Sequence, residues 1–140
     1  MLQEQKFDIV NAMKDFPAWM KLKEKLDGLT HRAPLVTEGD VWWASIGENI
    51  GSEIGGKNHQ YSRPVIILKK LAHGFYFVIP TTSKEKMGSW YIPFKHQRKD
   101  MAACLHQARS IDHRRLSSKL GTLDAADFEL VKDGFHSLYK

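Results

Sequence analysis

Arg63 has the residue type and the setting for chemistry on a phosphate group. It precedes Pro64 and follows a loop that contains four of the chain's ten glycines, Gly47, Gly51, Gly55 and Gly56. A guanidinium group can donate to two phosphate oxygens at once, and the proline ring restricts the backbone beside it. A long glycine-rich loop suits a binding or lid segment, and it suits an irregular hairpin connection equally well. Arg63 is therefore the first candidate for stabilising negative charge on phosphorus.

Hydroxyl and imidazole groups later in the chain match the other needs of such chemistry. Cleavage of a phosphodiester by a neighbouring 2′-hydroxyl requires a proton acceptor, stabilisation of the added negative charge and a proton donor, and a metal is not obligatory. Thr81 and Thr82 follow Pro80 at the end of a predicted strand, where a hydroxyl can bind the phosphate, although threonine is also common in strands. Imidazoles titrate near neutral pH, so a histidine is a candidate for the base.

The candidate contacts to a nucleic acid come from two loops and one strand. They are Lys57, His59, Thr81, Lys84, Lys86, Gln107 and Arg109. Gln107 and Arg109 alternate with Ala108 in a predicted strand, which would place both on one face. Trp90 or Tyr91 is a candidate for stacking on an unpaired base. We expect Glu53, by contrast, to have a structural role, in which it orders the glycine loop or bonds the opposite strand.

Basic residues are concentrated in the middle of the chain. Residues 57–115 contain twelve Lys or Arg and three acids, a net charge of +9, whereas the remaining residues contain nine bases and thirteen acids, a net charge of −4. A basic segment suits a polyanion, because each neutralised phosphate releases counterions. A solvated surface that is merely basic would have the same composition.

The elements that position these residues are mainly strands. Short runs rich in branched and aromatic residues predict strands at residues 41–46, 65–70, 75–81, 90–94 and 102–111. His73 and Gly74 form a candidate tight turn between the second and third runs. Strands at this spacing indicate a small, strongly bent antiparallel barrel, so the expected fold class is α+β, mainly β.

Helical patterns flank these strands. Residues 2–28 predict helix in two pieces. The first piece has apolar residues at every third position, Phe7, Val10 and Met13. Asp15 is expected to cap the second piece, which ends at Gly28, and Asp124 to cap a C-terminal helix. We expect the N-terminal arm to pack on the barrel, with docking of a partner as the alternative.

Length and composition favour one domain with an appended element. The chain has 140 residues, of which 42% are hydrophobic. We divide it into an N-terminal helical extension, residues 1–34, and a barrel domain, residues 35–140. No apolar run approaches the roughly 20 residues needed to cross a bilayer, and the first residues lack the layout of a secretion signal. A cytoplasmic protein is expected, and the single Cys104 fits a reducing compartment.

Five stretches of the sequence form an ordered set. They are GDVWW at 39–43, GSEIGG at 51–56, RPVIIL at 63–68, IPTTSK at 79–84 and QARSIDHRRLSSKLGTL at 107–123. Together they resemble the PemK/MazF family of toxins from type II toxin–antitoxin modules, over residues 38 to 138. The resemblance implies an SH3-like barrel that works as a homodimer and cuts single-stranded mRNA at selected sequences, with no metal or other cofactor. It further implies products with a 2′,3′-cyclic phosphate and a 5′ hydroxyl, nucleic-acid binding to RNA and DNA, and a cognate antitoxin that covers the RNA groove.

The resemblance also assigns roles to particular residues. Arg63 matches the family's catalytic arginine, and Thr82 matches its functional threonine, with Thr81 as the fallback. Three positions depart from the pattern in some relatives: His106 replaces an acid, Cys104 an arginine, and Ser52 a histidine. These departures leave the base open between His106 and His59.

Other chemistries have weaker support in the sequence. Zinc would have only Cys104-x-His106 as a pair of ligands, and the glycine loop lacks the terminal Gly-Lys-Ser/Thr of a nucleotide-binding loop. A nucleophilic cysteine would rest on one residue with apolar neighbours. The alternative function is a non-catalytic barrel that acts on a protein or nucleic acid. Gyrase poisons such as CcdB share the barrel, but they carry a C-terminal Trp-Gly-Ile, whereas this chain ends in HSLYK.

Overall fold

A computed structural model describes residues 14–140, which form seven strands and two longer helices. The helices are α1 (Phe16–Asp27) and α2 (Ala125–Leu138). The strands are β1 (Asp40–Ser45), β2 (Ser62–Ala72), β3 (Phe75–Thr82), β4 (Tyr91–His96), β5 (Lys99–Cys104), β6 (Arg109–Asp112) and β7 (Leu116–Thr122). Short 3₁₀ turns, Leu105–Gln107 and His113–Arg115, join β5 to β6 and β6 to β7.

All the strand pairs are antiparallel, in the order β4-β5-β3-β2-β1-β7. The far edge of β3 is divided between two partners: residues 75–78 pair with β6, and residues 81 and 82 pair with β5. The turn Leu105–Gln107 lies where the partner changes. This arrangement confirms the expected bent, mainly antiparallel fold, in which the sheet is barrel-like but not closed.

Both faces of the central strands are buried, which explains why their sequences are continuous apolar runs. Val65 and Ile67 face one core together with Tyr76, whereas Ile66 faces a second core with Val131 of α2. Successive strand residues point to opposite faces, so a strand between two cores has no solvent-facing positions. Its sequence therefore does not alternate between apolar and polar residues.

The predicted second helical piece is confirmed by α1. The Asp15 carboxylate accepts a hydrogen bond from the backbone N–H of Ala18, and Gly28 follows the last turn. The first predicted piece lies outside the described residues. In the part of the chain that the structure covers, no helix is long and apolar enough to cross a membrane.

The predicted strand over residues 102–111 is wrong in its middle. Leu105 turns fully into the core, and its carbonyl accepts a hydrogen bond from the Tyr139 hydroxyl, which interrupts the strand with a 3₁₀ turn. Gln107 and Arg109 therefore do not share a strand. Asp124 occupies the predicted cap position before α2, but its carboxylate accepts no hydrogen bond from that helix.

Candidate functional site

A cleft of about 430 Å³ opens where the glycine loop, the start of β2, the end of β3 and the turn after β5 meet. Seven of the ten residues predicted for the site line it: Lys57, Arg63, Thr82, Lys84, Lys86, His106 and Gln107. These residues are far apart in sequence, and the divided edge of β3 brings them together.

Arg63 is held at the cleft by two backbone carbonyls. Its Nε donates to the carbonyl of Gly55 at 2.7 Å, and its Nη1 donates to the carbonyl of Thr81 at 3.1 Å. Burial lowers the pKa of Arg63 from its ordinary value, but the ordinary pKa of an arginine lies so far above neutrality that the group remains charged at neutral pH. The two bonds orient the guanidinium and leave its other N–H groups to bind an anion.

The two threonines have different surroundings. Thr82 lines the cleft, and its hydroxyl accepts a hydrogen bond from the backbone N–H of Lys84 at 3.2 Å. Thr81 is fully buried, and its hydroxyl donates to the carbonyl of Pro64 at 2.8 Å. Thr82 is therefore the hydroxyl that can meet a ligand in this cleft, while Thr81 fixes the backbone beside Arg63.

The imidazole of His106 is packed between two aromatic rings. Trp90 stacks on it with ring centroids 4.9 Å apart, and Tyr91 meets it edge-on at 5.1 Å. Among the described residues, nothing hydrogen-bonds its buried Nδ1. Packing therefore fixes the plane of the ring, while no hydrogen bond from a described residue to Nδ1 fixes which nitrogen carries the proton. His59 is exposed on the loop and does not line the cleft.

The amide of Gln107 ties the glycine loop to the turn after β5. Its Oε1 accepts from the N–H of Ile54 at 3.0 Å, and its Nε2 donates to the carbonyl of Ser52 at 2.9 Å. Glu53 accepts from the N–H of Ile50 at 3.0 Å, so it orders the loop, as expected. Gln107, predicted as an RNA contact, thus has both amide ends occupied within the protein.

Arg109 does not line the cleft. It begins β6, where it pairs with Val78. Burial lowers the pKa of Arg115, and the charge of Arg109 lowers it further. The sequence suggested a shared face with Gln107 because a continuous strand was assumed. The intervening turn separates the two residues.

A second cavity, of about 330 Å³, lies beside the first and shares Lys57 and Arg63 with it. Thr81 lines this cavity, together with the aromatic rings of Trp43 and Phe94. Trp43 was not among the site residues predicted from the sequence. The signal that could have identified it is a large aromatic side chain between apolar residues in a predicted strand. Lys57 and Arg63 therefore contribute to both cavities.

The cleft is positively charged. Of the residues that the structure describes, four Lys or Arg side chains line it, and no Asp or Glu does. Cys104 lies in its wall, where burial raises the pKa of the thiol to about 11, although Arg63 and Lys86 act in the opposite direction. The thiol is thus protonated at neutral pH and a poor nucleophile. In residues 14–140, no group of three His, Cys, Asp or Glu side chains is arranged to hold a metal.

Comparison with known proteins places the chain in context. The family described as PemK-like, MazF-like toxin of type II toxin–antitoxin system matches residues 37–139, which confirms the resemblance seen in the sequence. The comparison with curated proteins gives no significant match. The helix α1 lies before the matched region.

Solved structures of low sequence identity share the fold. MazF from Deinococcus radiodurans superposes with a TM-score of 0.64 and 22% identity, covering 76% of this chain and 97% of that chain. A MazE–MazF structure from the same organism gives 0.59 and 19%, with coverage of 76% and 96%. An endoribonuclease in complex with its cognate antitoxin, from a mycobacterial species, gives 0.60 and 10%, with coverage of 75% and 95%.

Proposed function

Because this chain belongs to the PemK-like, MazF-like toxins of type II toxin–antitoxin systems, we propose that it is an endoribonuclease that cuts single-stranded mRNA at selected sequences in the cytoplasm. The observation that carries the proposal is the guanidinium of Arg63, which two carbonyls hold in a cleft shared with Thr82 and His106. The reaction is attack by the neighbouring 2′-hydroxyl, which needs no metal.

His106 accepts the proton of the 2′-hydroxyl, and the 2′ oxygen forms a bond to phosphorus. The free N–H groups of Arg63 and the hydroxyl of Thr82 stabilise the negative charge that develops on the phosphoryl oxygens. The bond from phosphorus to the 5′ oxygen breaks, and this oxygen takes a proton from solvent. The imidazolium of His106 then releases its proton to solvent. The products are a 2′,3′-cyclic phosphate and a 5′ hydroxyl.

The walls of the cleft suit the nucleotides beside the cut. Lys57, Lys84 and Lys86 neutralise neighbouring phosphates, and the ring of Trp90, which is 54% exposed, offers a surface to an unpaired base. Because the second cavity shares Arg63, it receives the nucleotide on the other side of the scissile phosphate. The ring of Trp43 in that cavity then contributes to sequence selection.

We further propose that the chain forms a homodimer and that a cognate antitoxin inhibits it. Two of the similar structures contain a toxin with its antitoxin, MazE–MazF and the mycobacterial endoribonuclease complex. A cationic cleft without carboxylates favours an acidic antitoxin segment, which would compete with RNA for Arg63.

The direct test is cleavage of single-stranded RNA by the purified protein in the presence of a chelator. Arg63→Ala should abolish cutting, whereas Arg32→Ala, which removes an exposed arginine that lines neither cavity, should leave the rate unchanged. Sequencing the 5′ ends of the fragments identifies the selected bases. Intact RNA with the wild-type protein would contradict the nuclease, and RNA that is bound but not cut would favour the non-catalytic binding alternative.

A further inference from the structure

Trp19 of α1 is buried against the base of the glycine loop. Its side chain is 5% exposed, and a Cβ added to Gly47 would lie 2.3 Å from two of its ring atoms. The ring of Tyr61 lies 5.7 Å from the ring of Trp19, and the guanidinium of Arg115 lies 5.8 Å from it. The ring of Trp19 thus occupies the space beside Gly47. Any residue other than glycine at position 47 would collide with this ring.

Gly47 and Tyr61 are the two ends of the loop that precedes Arg63. The N–H groups of Ile46 and Gly47 both donate to the carbonyl of Tyr61, at 2.9 and 3.0 Å, so the two ends are joined. Lys14 adds a second contact from the same arm, because its Nζ donates to the carbonyl of Asn49 at 2.9 Å. The N-terminal arm therefore contacts the glycine loop at its base, through Trp19, and near its start, through Lys14.

A short series of contacts leads from this base to the catalytic guanidinium. The carbonyl of Gly47 accepts from the N–H of Gly56 at 2.8 Å. The adjoining carbonyl of Gly55 accepts from Nε of Arg63 at 2.7 Å. Hence the position of the Trp19 ring bears on one of the two bonds that orient Arg63.

We propose that α1 positions Arg63 through the base of the glycine loop, and that Trp19 is the positioning residue. This inference rests on the proposed function, and it concerns a helix that lies outside the part of the chain matched to the family. Loss of the ring frees the loop base, which broadens the positions available to the carbonyl of Gly55. The guanidinium then spends less time in the orientation that binds the transition state.

The effect should fall on the chemical step more than on RNA binding. Lys84 and Lys86 are carried by the connection between β3 and β4, which α1 does not contact in the hydrogen bonds and ring contacts of the described residues. We therefore expect Trp19→Ala to lower kcat about tenfold while KM changes less than threefold. Trp19→Phe, which retains an aromatic ring in the niche, should give an intermediate kcat.

The test combines kinetics with the ¹⁵N resonance of the Arg63 Nε–H group in the full chain. In Trp19→Ala, this signal should move towards the position of a solvated arginine, and its hydrogen exchange should quicken about tenfold. Two controls should leave signal and kcat unchanged: Met20→Ala, at the neighbouring exposed position of α1, and Val131→Ala, which disturbs the core under α2.

Each outcome decides the proposal. A folded Trp19→Ala protein with an unchanged Arg63 signal and unchanged kcat would overturn it, as would an equal change in Val131→Ala. If Trp19→Ala does not fold, Trp19→Phe carries the same test, and an unaltered signal there overturns it. The resonance can be followed without RNA, so failure of the wild-type protein to cut RNA would refute the proposed function separately.

Discussion

The substitution Arg63→Lys tests whether the candidate site requires the shape of the guanidinium group or only its positive charge. A guanidinium has five N–H groups. Two of them bind the carbonyls of Gly55 and Thr81, so three are left for a phosphate. A lysine has three N–H groups on one nitrogen, and if that nitrogen satisfies both carbonyls, it has one to offer.

The expected loss follows from this count of donors. Removing a donor from a developing oxyanion costs about 10²- to 10³-fold in rate, or roughly 3–4 kcal/mol. If the lysine instead faces the phosphate, the two carbonyls lose their partners, at about 1–3 kcal/mol for each that stays buried. Either arrangement lowers the rate or the stability, and we expect a rate at least 10²-fold below the wild type.

The assay is single-turnover cleavage of a labelled RNA at saturating protein in chelator, with thermal unfolding measured on the same samples. Arg32→Lys makes the same change at an exposed position and serves as the control. An Arg63→Lys protein that is as stable as the wild type and cuts within threefold of its rate would refute the geometric argument, since charge alone would then be sufficient.

Three further predictions concern the base, the phosphate contacts and the buried thiol. His106→Ala should lower the cleavage rate at least tenfold more than His59→Ala, because only His106 lines the cleft; the reverse order in the same RNA assay would move the base to the loop. Lys84→Gln should reduce the slope of log affinity against log salt by about 1, while Lys70→Gln, an exposed change on β2, should leave the slope unchanged; equal slopes in filter binding would remove Lys84 from the interface. Burial raises the pKa of Cys104 from 9.0 to about 11, so the unfolded chain loses the thiol proton first and the free energy of unfolding should fall by roughly 2–3 kcal/mol between about pH 9 and 11. Urea unfolding should show this fall reduced in Cys104→Ala, and identical pH profiles would contradict it.

The sequence predicted the strands because burial on two faces leaves an unmistakable composition. The runs that became β1, β2 and β3 are apolar for a reason that can be read locally, and Arg63 was identifiable because a glycine loop and a proline mark the start of its strand. Local patterns could not show where the edge of β3 changes partner. That change depends on residues 81 and 82 meeting β5, about twenty positions away in sequence.

The errors in the site come from the same source. A continuous strand through residues 102–111 was the simplest interpretation, and it placed Arg109 beside Gln107. The structure separates them because Leu105 inserts into the core, a preference that only the completed fold reveals. The niche for Trp19 is likewise invisible in the sequence, since nothing local links a helix to Gly47 about thirty residues later.

Among the described residues, the hairpin of β4 and β5 pairs with β3 at two positions, Thr81 with Ala103 and Thr82 with Ala102, and its turn is tied to β7 by the Gln97 amide, which donates to the carbonyl of Leu120. The same hairpin supplies Tyr91 to the wall of one cavity and Phe94 to the wall of the other. A small displacement of this hairpin therefore alters the widths of both cavities at once. In the proposed nuclease, the spaces for the bases on the two sides of the cut therefore change together, so a substitution that alters selectivity on one side should alter it on the other side as well.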